Sequence, residues 1–558
     1  MFLARATAGI YGGLAGGIAV GAVEALIVLS TAAHASEYQA LFAAVLVYGA
    51  AGLALGVGLG LLLALLGFVW KLSAAGAYTV SLWASSALLV AQAIALWLEG
   101  RFGEAVPATW WAVAGGLLAL QTLLVAWLGP ILLTRTPLKI LLRPHGTLAA
   151  LVAVLGVSAI FSFAPGRQVA GVALPGPWQQ GRLADRPNVL LVVVQGLRAD
   201  RDLRALDRVA VDGVSYLRAK AHSSWTGASM ASLWTSRLPS SHRVIEPGDT
   251  LHDDAETLFE VLGEQGYTTA AIVAGSHTTR TLGFDQGVAW FHHVGLGGLG
   301  ESTALLSVVQ RIVGESEVPP SAPIDALRRF VDAQGDDRWC VSVTLGSAEV
   351  EGYDTRLAAV DTELDAFFVE LAEQGLWEHT AVVVTADHGV ELGEHGGEGQ
   401  GATLYEELLH VPLVARWPGS VAAEVETQVR LVDVAPTLAR LGGAVAPMDW
   451  QGEPLPDEGE PRDRVAFAEL ARHGVSLSSV QRGDWKLIKG PRRTELFELG
   501  LDPGETRNRA GEAGSIQAEL ERELVALIKA STRQAAGASA SDVDQVTQDR
   551  LRALGYLE

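Results

Sequence analysis

The first 165 residues carry long apolar stretches, and the rest of the chain alternates short apolar runs with amphipathic ones. Leu41 to Trp70 contains no charged residue, and a helix needs about 20 apolar residues to cross a bilayer. Five spans are expected, at about 7–33, 41–70, 74–98, 108–134 and 146–164. The first is read as a retained span rather than a cleaved signal peptide, because another span follows it instead of a polar domain. Gly12 and Gly16, then Gly52, Gly56 and Gly60, recur every four residues. That spacing suits close helix packing, although glycine is also simply frequent in such helices.

Basic residues set the expected orientation. Arg5 precedes span one, Lys71 separates spans two and three, and Arg135, Lys139 and Arg143 lie between four and five. The alternate loops hold Glu37, then Glu99, Arg101 and Glu104. The positive-inside rule puts the N-terminus in the cytoplasm, so five crossings leave everything after about Pro165 outside. Glu24 lies inside span one, where an acid is a functional candidate. A contact with other helices, or snorkelling outward, accounts for it as well.

Residues 166–186 are rich in Gly and Pro and read as a linker. Beyond them, strands are expected at 188–194, 270–274, 340–345, 381–385 and 411–415, and a helix at 354–374 with Asp354 as its N-cap. Such alternation implies an α/β domain over 187–445, a mainly parallel sheet covered by helices. A small α+β subdomain and tail come after it over 446–558: a hairpin, a Pro/Gly turn and a helix at about 514–531. Residues 534–545 are Ala/Ser-rich.

Charge and cysteine narrow the classes. The net charge of −21 argues against a nucleic-acid partner. The single cysteine, Cys340, excludes an intrachain disulfide and falls in an expected core strand. A transporter reading finds no clear inverted repeat in the spans.

Two segments carry candidate chemistry. In "VVVTADHGVELGEHG", Val382 to Gly396, Asp387 and His388 come directly after a buried strand, at its carboxyl end. They suit half of a metal site, or a turn in which Asp387 caps the next segment. In "SSWTGASMASLWTSRLP", Ser223 to Pro239, Thr226 stands where a helix opens. It suits an anion-binding hydroxyl or an ordinary N-cap.

Taken together, these segments resemble the sulfatase family of the alkaline-phosphatase-like superfamily. The matching features run in order: "RPNVLLVVVQGLRAD", "WTGASMASLWTSRLP", "FDQG" at 284–287, "TADHGVELGEHG", "TLYEELLHVPLVARWPG", "GDWKLIKG", "DPGETRN" and "RLRALGYLE". The resemblance implies hydrolysis or transfer of sulfuric or phosphoric esters. It puts Thr226 in the nucleophile position, Asp387, His388 and Gln195 in metal-ligand positions, and Gln400 and His395 near the substrate. The cofactor implied is one divalent ion, Mn, Ca, Mg or Zn.

The departures are specific. The formylglycine window reads Thr226-Gly227-Ala228-Ser229-Met230, so no formylglycine forms. Relatives with Thr there act on phosphate-type head groups. Gln195 is neutral where the family has an acid, so the metal site is expected to be weakened. An Asp-Pro-His element expected after the Cys340 strand is missing, and Gly399-Gln400-Gly401 replaces Gly-His-Gly. His277 reads as a surface-loop residue, with intrusion on the site as the alternative. Two readings remain: an integral membrane enzyme acting on an envelope lipid or glycan ester, or a pseudoenzyme that binds such an anionic ligand or a protein.

Overall fold

The computed structural model describes residues 1–31, 38–70, 72–102, most of 115–123, 186–294 except 276, and 318–533 with short gaps at 336, 347–349, 458–463 and 473–474, plus a few residues from 548 on. The described residues fall into two compact units.

The N-terminal unit contains three helices, α1 (Phe2–Thr31), α2 (Tyr38–Trp70) and α3 (Ala74–Phe102). Each includes a stretch long and apolar enough to cross a membrane: Phe2–Val23, Val45–Gly67 and Ala74–Gln92. Expected spans four and five, the basic loop between them and linker residues 166–185 lie outside the described residues, apart from helical residues within 115–123. Small residues explain the packing. A methyl group at Gly13 would overlap the backbone of Gly52 and Gly56, and one at Gly12 would overlap the backbone of Tyr78. Ser81 Oγ donates to the Gly9 carbonyl at 2.6 Å, tying α3 to α1. Lipid offers no hydrophobic drive between helices, so backbone approach and interhelical hydrogen bonds must supply it.

The second unit is built on an eight-stranded sheet. Its strands are β1 (Asn188–Val194), β2 (Val214–Tyr216), β3 (Thr268–Ala274), β4 (Trp290–Val294), β5 (Trp339–Leu345), β6 (Thr380–Thr385), β7 (Leu413–Arg416) and β8 (Ala423–Val425), in the order β8-β2-β7-β6-β1-β5-β3-β4. Only β7 runs antiparallel to its neighbours. β1, β3, β5 and β6 are buried along their whole length. That explains why none alternates polar with apolar positions, most plainly in the Val/Leu run of β1, because a sheet covered on both faces has no polar side. Cys340 is one of these core residues, and burial pushes its thiol pKa up. The long helix is Tyr353–Glu373, packing Leu357, Val360, Leu364, Phe367 and Leu371 inward. Its N-cap is Gly352 at φ +68°, not Asp354, which sits in the first turn. The left-handed backbone there favours glycine.

The C-terminal portion forms a four-stranded antiparallel sheet over Ala466–Arg472, Val475–Arg482, Trp485–Gly490 and Arg493–Glu498. Helix Gly514–Arg533 lays Leu520, Leu524 and Ile528 on it, among Phe467, Val480, Leu487 and Leu496. The expected hairpin and last helix are both present.

Register fixes where chemistry can sit. β1 lies between β5 and β6, with Val194 opposite Leu345 and Val193 opposite Thr385. The carboxyl ends of β1 and β6 therefore emerge side by side, at the place where an open α/β sheet offers its ligand crevice.

Candidate active site

Gln195 and Gly196 come directly after β1. Gly196 adopts φ +72°, and its N–H donates to Asp387 Oδ1 at 3.1 Å. The His388 N–H donates to the same oxygen at 3.0 Å. Asp387 and His388 are fully buried. Gly389 has no room for a side chain, because a methyl group would overlap the Glu407 carbonyl. The "LRAD" loop is tied down by Arg198, which pairs with Asp200 at 2.8 Å and Glu394 at 2.5 Å and donates to the Val390 carbonyl at 3.2 Å.

Thr226 opens helix Thr226–Thr235 with Trp225 as N-cap, so it is the first helical residue rather than the cap. Ser229, one turn on, donates from Oγ to the Asp387 carbonyl at 2.5 Å. Trp234 anchors the far end of the helix edge-on to Phe259 and Phe284, with ring centres 4.9 and 5.6 Å apart. That contact gives the Phe of "FDQG" a structural role.

The expected residues come together in large part. Thr226 Oγ1 lies 3.1 Å from His388 Nε2 and 3.4 Å from Gln400 Oε1. His388 Nδ1 faces the Gly389 carbonyl at 2.7 Å, which requires Nδ1 to carry the proton and leaves the Nε2 lone pair toward Thr226. Asp387 Oδ2 sits 3.3 Å from that same Nε2 and has no hydrogen-bond partner. A buried carboxylate oxygen without a donor is costly. A lone-pair nitrogen facing it is the donor set a divalent cation takes, so Asp387 and His388 fit such an ion. Gln195 is buried directly after β1, and its N–H donates to the Leu345 carbonyl at 2.8 Å.

His395 goes elsewhere. Its Nδ1 pairs with Glu407 at 2.6 Å, its Nε2 faces the Glu505 carbonyl at 3.4 Å, and its ring stacks on Tyr405 at 3.6 Å. Burial depresses its pKa, but the Glu407 carboxylate more than offsets this and raises it. It is engaged by a pairing network rather than brought to Thr226.

Two residues enter the site that local sequence signals did not place there. His277 stands edge-on to Trp225 at 5.8 Å. Its pKa is lowered to about 4, first by burial and then by the charge of Arg472, with Asp387 opposing. It therefore belongs to the site environment, not to a free surface loop. Arg472, at the end of the first C-terminal strand, donates from Nη1 to the Gln400 carbonyl at 3.2 Å. Its Nε is buried without a partner, and burial lowers its pKa with nothing opposing. Ser223 Oγ, Ser224 Oγ and Trp225 Nε1, immediately before Thr226, are likewise buried donors without partners.

A mostly parallel α/β sheet with a metal-fitting Asp–His pair at its carboxyl edge and a hydroxyl opening the next helix defines an alkaline-phosphatase-like architecture. Within that class the chain is similar to the sulfatase family. The family model "Sulfatase" matches residues 318–444, and "N-sulphoglucosamine sulphohydrolase, C-terminal" matches 393–530. Arylsulfatase K of Rattus norvegicus is 29% identical over 196 residues, 32% of this chain and 34% of that protein. The N-acetylglucosamine-6-O-sulfatase of Bacteroides thetaiotaomicron is 30% identical over 199 residues, 33% of this chain and 35% of that protein. The chain thus spans about a third of the length of the curated relatives it matches. Among solved structures, the phosphonate monoester hydrolase of Agrobacterium radiobacter shares the fold at a TM-score of 0.50 and 20% identity, covering 62% of this chain and 96% of that one.

Proposed function

We propose that the protein is a membrane-anchored hydrolase or head-group transferase for phosphoric-type esters, with Thr226 as its nucleophile. The observation that carries this reading is the meeting of Thr226 Oγ1, His388 Nε2 and the unpartnered Asp387 Oδ2 in one buried place. Asp387 and His388, with the Gln195 carbonyl oxygen, would hold a divalent cation. Such an ion lowers the pKa of a hydroxyl and neutralises charge on ester oxygens.

The chain's own groups do the rest. Thr226 sits at the positive end of its helix, which favours an anionic oxygen there. Its oxygen, with the hydroxyl proton given up to solvent, would attack phosphorus. The P–O bond to the leaving group breaks with its electron pair on that oxygen, which takes a proton from solvent. Water (hydrolysis) or an acceptor hydroxyl (transfer) then displaces the phosphoryl group from Thr226 and restores its hydroxyl. Arg472 and the unpartnered donors Ser223, Ser224 and Trp225 are available to the ester anion. The threonine speaks against formylglycine chemistry and hence against sulfate hydrolysis by that route. The apolar helices near the N-terminus support multi-pass membrane association. With the N-terminus cytoplasmic, the catalytic unit faces outward toward envelope lipids or glycans.

One observation favours a second reading. Gln195 leaves Asp387 as the sole carboxylate in the ligand set, so the fold could bind an anionic envelope ligand without turnover. The test uses full-length protein in detergent with Mn²⁺, offered aryl phosphate, phosphonate and sulfate esters. Phosphate or phosphonate hydrolysis that falls at least about 10³-fold in Thr226→Ala establishes the enzyme. Equal traces of hydrolysis in both proteins, with anion binding retained, establish the binding protein.

A further inference from the structure

We propose a second divalent-cation site at Glu391, His395 and Glu407, separate from the Asp387–His388 pair. Each residue offers one ligand atom, and these atoms lie within 4.8 Å of one another. Glu391 sits in the two-residue strand Glu391–Leu392, and Glu407 lies in the short helix Glu406–Leu409.

Acidic clusters are common, and the geometry alone would be weak. The independent observation is Glu391 itself. It is 1% exposed, and neither carboxylate oxygen has a hydrogen-bond partner. The Thr403 hydroxyl comes near enough to favour the Glu391 carboxylate, yet burial outweighs it and raises the Glu391 pKa, so the carboxylate stays uncompensated. Among the described residues, no lysine or arginine pairs with Glu391. Other buried acids of this unit are treated differently: Glu406 has Lys220 and Lys486, and Asp433 has Arg430 and Arg464. A buried carboxylate with no partner of its own, aimed at a histidine and a second carboxylate, lacks a cation.

The surroundings are preorganised. His395 Nδ1 already points at Glu407 at 2.6 Å, and stacking on Tyr405 holds the ring. A cation entering between the two carboxylates takes the Nδ1 lone pair and releases its proton to solvent. Two carboxylate oxygens and one imidazole suit Mn²⁺ or Zn²⁺, with water completing the shell. The site would also have a positional consequence. Glu391 pairs in register with Gly399, the residue before Gln400. A cation here fastens the hairpin whose far strand delivers Gln400 to Thr226.

The experiment titrates metal-free, full-length protein with Mn²⁺, reading bound ion by electron paramagnetic resonance. The expected native stoichiometry is two. Asp387→Asn should lose one equivalent and keep the other, and Glu391→Gln should do the reverse. A single native equivalent that vanishes in Glu391→Gln but survives in Asp387→Asn upholds this site and denies the first. Stoichiometry and affinity unchanged in Glu391→Gln overturn it, as does a single equivalent that only Asp387→Asn removes. If Glu391→Gln does not fold, Glu391→Asp keeps the charge but shortens the reach. An affinity loss of at least about tenfold there upholds the site, and unchanged affinity overturns it.

Discussion

Two buried polar clusters within the second unit are handled in opposite ways. In one, Glu406 accepts from Lys486 at 3.0 Å and pairs with Lys220, while Lys486 also reaches Glu505 at 2.9 Å. Burial alone would raise the Glu406 pKa, but the two lysines hold it far below the usual range. Asp433 is similarly clasped, by Arg430 at 2.8 Å and Arg464 at 3.0 Å. Around Thr226 the pattern reverses. Asp387 Oδ2, Arg472 Nε, Ser223 Oγ, Ser224 Oγ and Trp225 Nε1 are all buried without partners. The paired cluster joins the sheet domain to the C-terminal sheet. Native proteins leave few buried polar atoms unsatisfied, so these atoms, next to Thr226 in the chain or on residues that contact Gln400 or His388, are the ones the proposed ligand would satisfy.

The largest expected effect breaks the paired cluster. Lys486→Met strands Glu505 in a buried place and leaves Glu406 with Lys220 alone, which should cost about 3–5 kcal/mol. Denaturant unfolding of the variant would check this, and a loss below about 1 kcal/mol would contradict the contrast between the clusters.

A somewhat smaller effect comes from pH. His222, four residues before Thr226, is buried, with Nδ1 at 2.7 Å from the Phe467 carbonyl and Nε2 accepting from the Val432 N–H at 3.4 Å. Burial lowers its pKa to about 4. The unfolded chain binds its proton at about 6.5, so between these values the unfolded state holds more protons. Stability from this group is complete above about pH 6.5 and declines as pH falls toward 4, by about 1.4 kcal/mol per unit and about 3 kcal/mol in all. Melting temperature measured from pH 7 to 4 should fall, less steeply in His222→Gln than in the native protein.

The unpaired cluster should respond to charge rather than to loss of contacts. On the proposed ligand set, Gln195→Asp adds a second carboxylate and should tighten Mn²⁺ binding by about tenfold or more, about 1.4 kcal/mol. Calorimetric titration of the two proteins side by side measures it. Equal affinities would mean that the Gln195 side chain does not reach the cation.

Much of this was legible in the chain because the signals are local. β1 is Val-rich and buried on both faces, so its bounds at Asn188 and Val194 can be read from the run itself. Asp387 and His388 announce themselves by standing at the end of such a strand. The amphipathic spacing of Leu357, Val360, Leu364, Phe367 and Leu371 likewise marks a helix. What escaped is long-range. Arg472 reaches the Gln400 carbonyl from 72 residues away, and the only local hint is a charge ending an apolar strand. His277 looks like a loop residue until Trp225 is seen against it. His395 lies within the family motif, yet Glu407 and Tyr405 claim it, and nothing local to the motif shows that competition.

The smallest stability effect is the sharpest test of the comparison. Arg472 is partly buried, and no carboxylate offsets the cost of its burial. Arg472→Met keeps much of its apolar stem and removes the guanidinium. It gives up one hydrogen bond to the Gln400 carbonyl, worth about 1 kcal/mol, and relieves a desolvation penalty of similar size. Stability should therefore change by less than about 1 kcal/mol in either direction. Anion binding should not be so forgiving. If Arg472 waits for an ester oxyanion, inhibition or binding by inorganic phosphate or vanadate should weaken by about tenfold or more, because a charge-assisted hydrogen bond is worth roughly 1.5–3 kcal/mol. A variant as stable as the native protein but indifferent to these anions places Arg472 with the ligand. A variant that loses stability and keeps its anion affinity places it with the paired cluster instead, as one more structural cation.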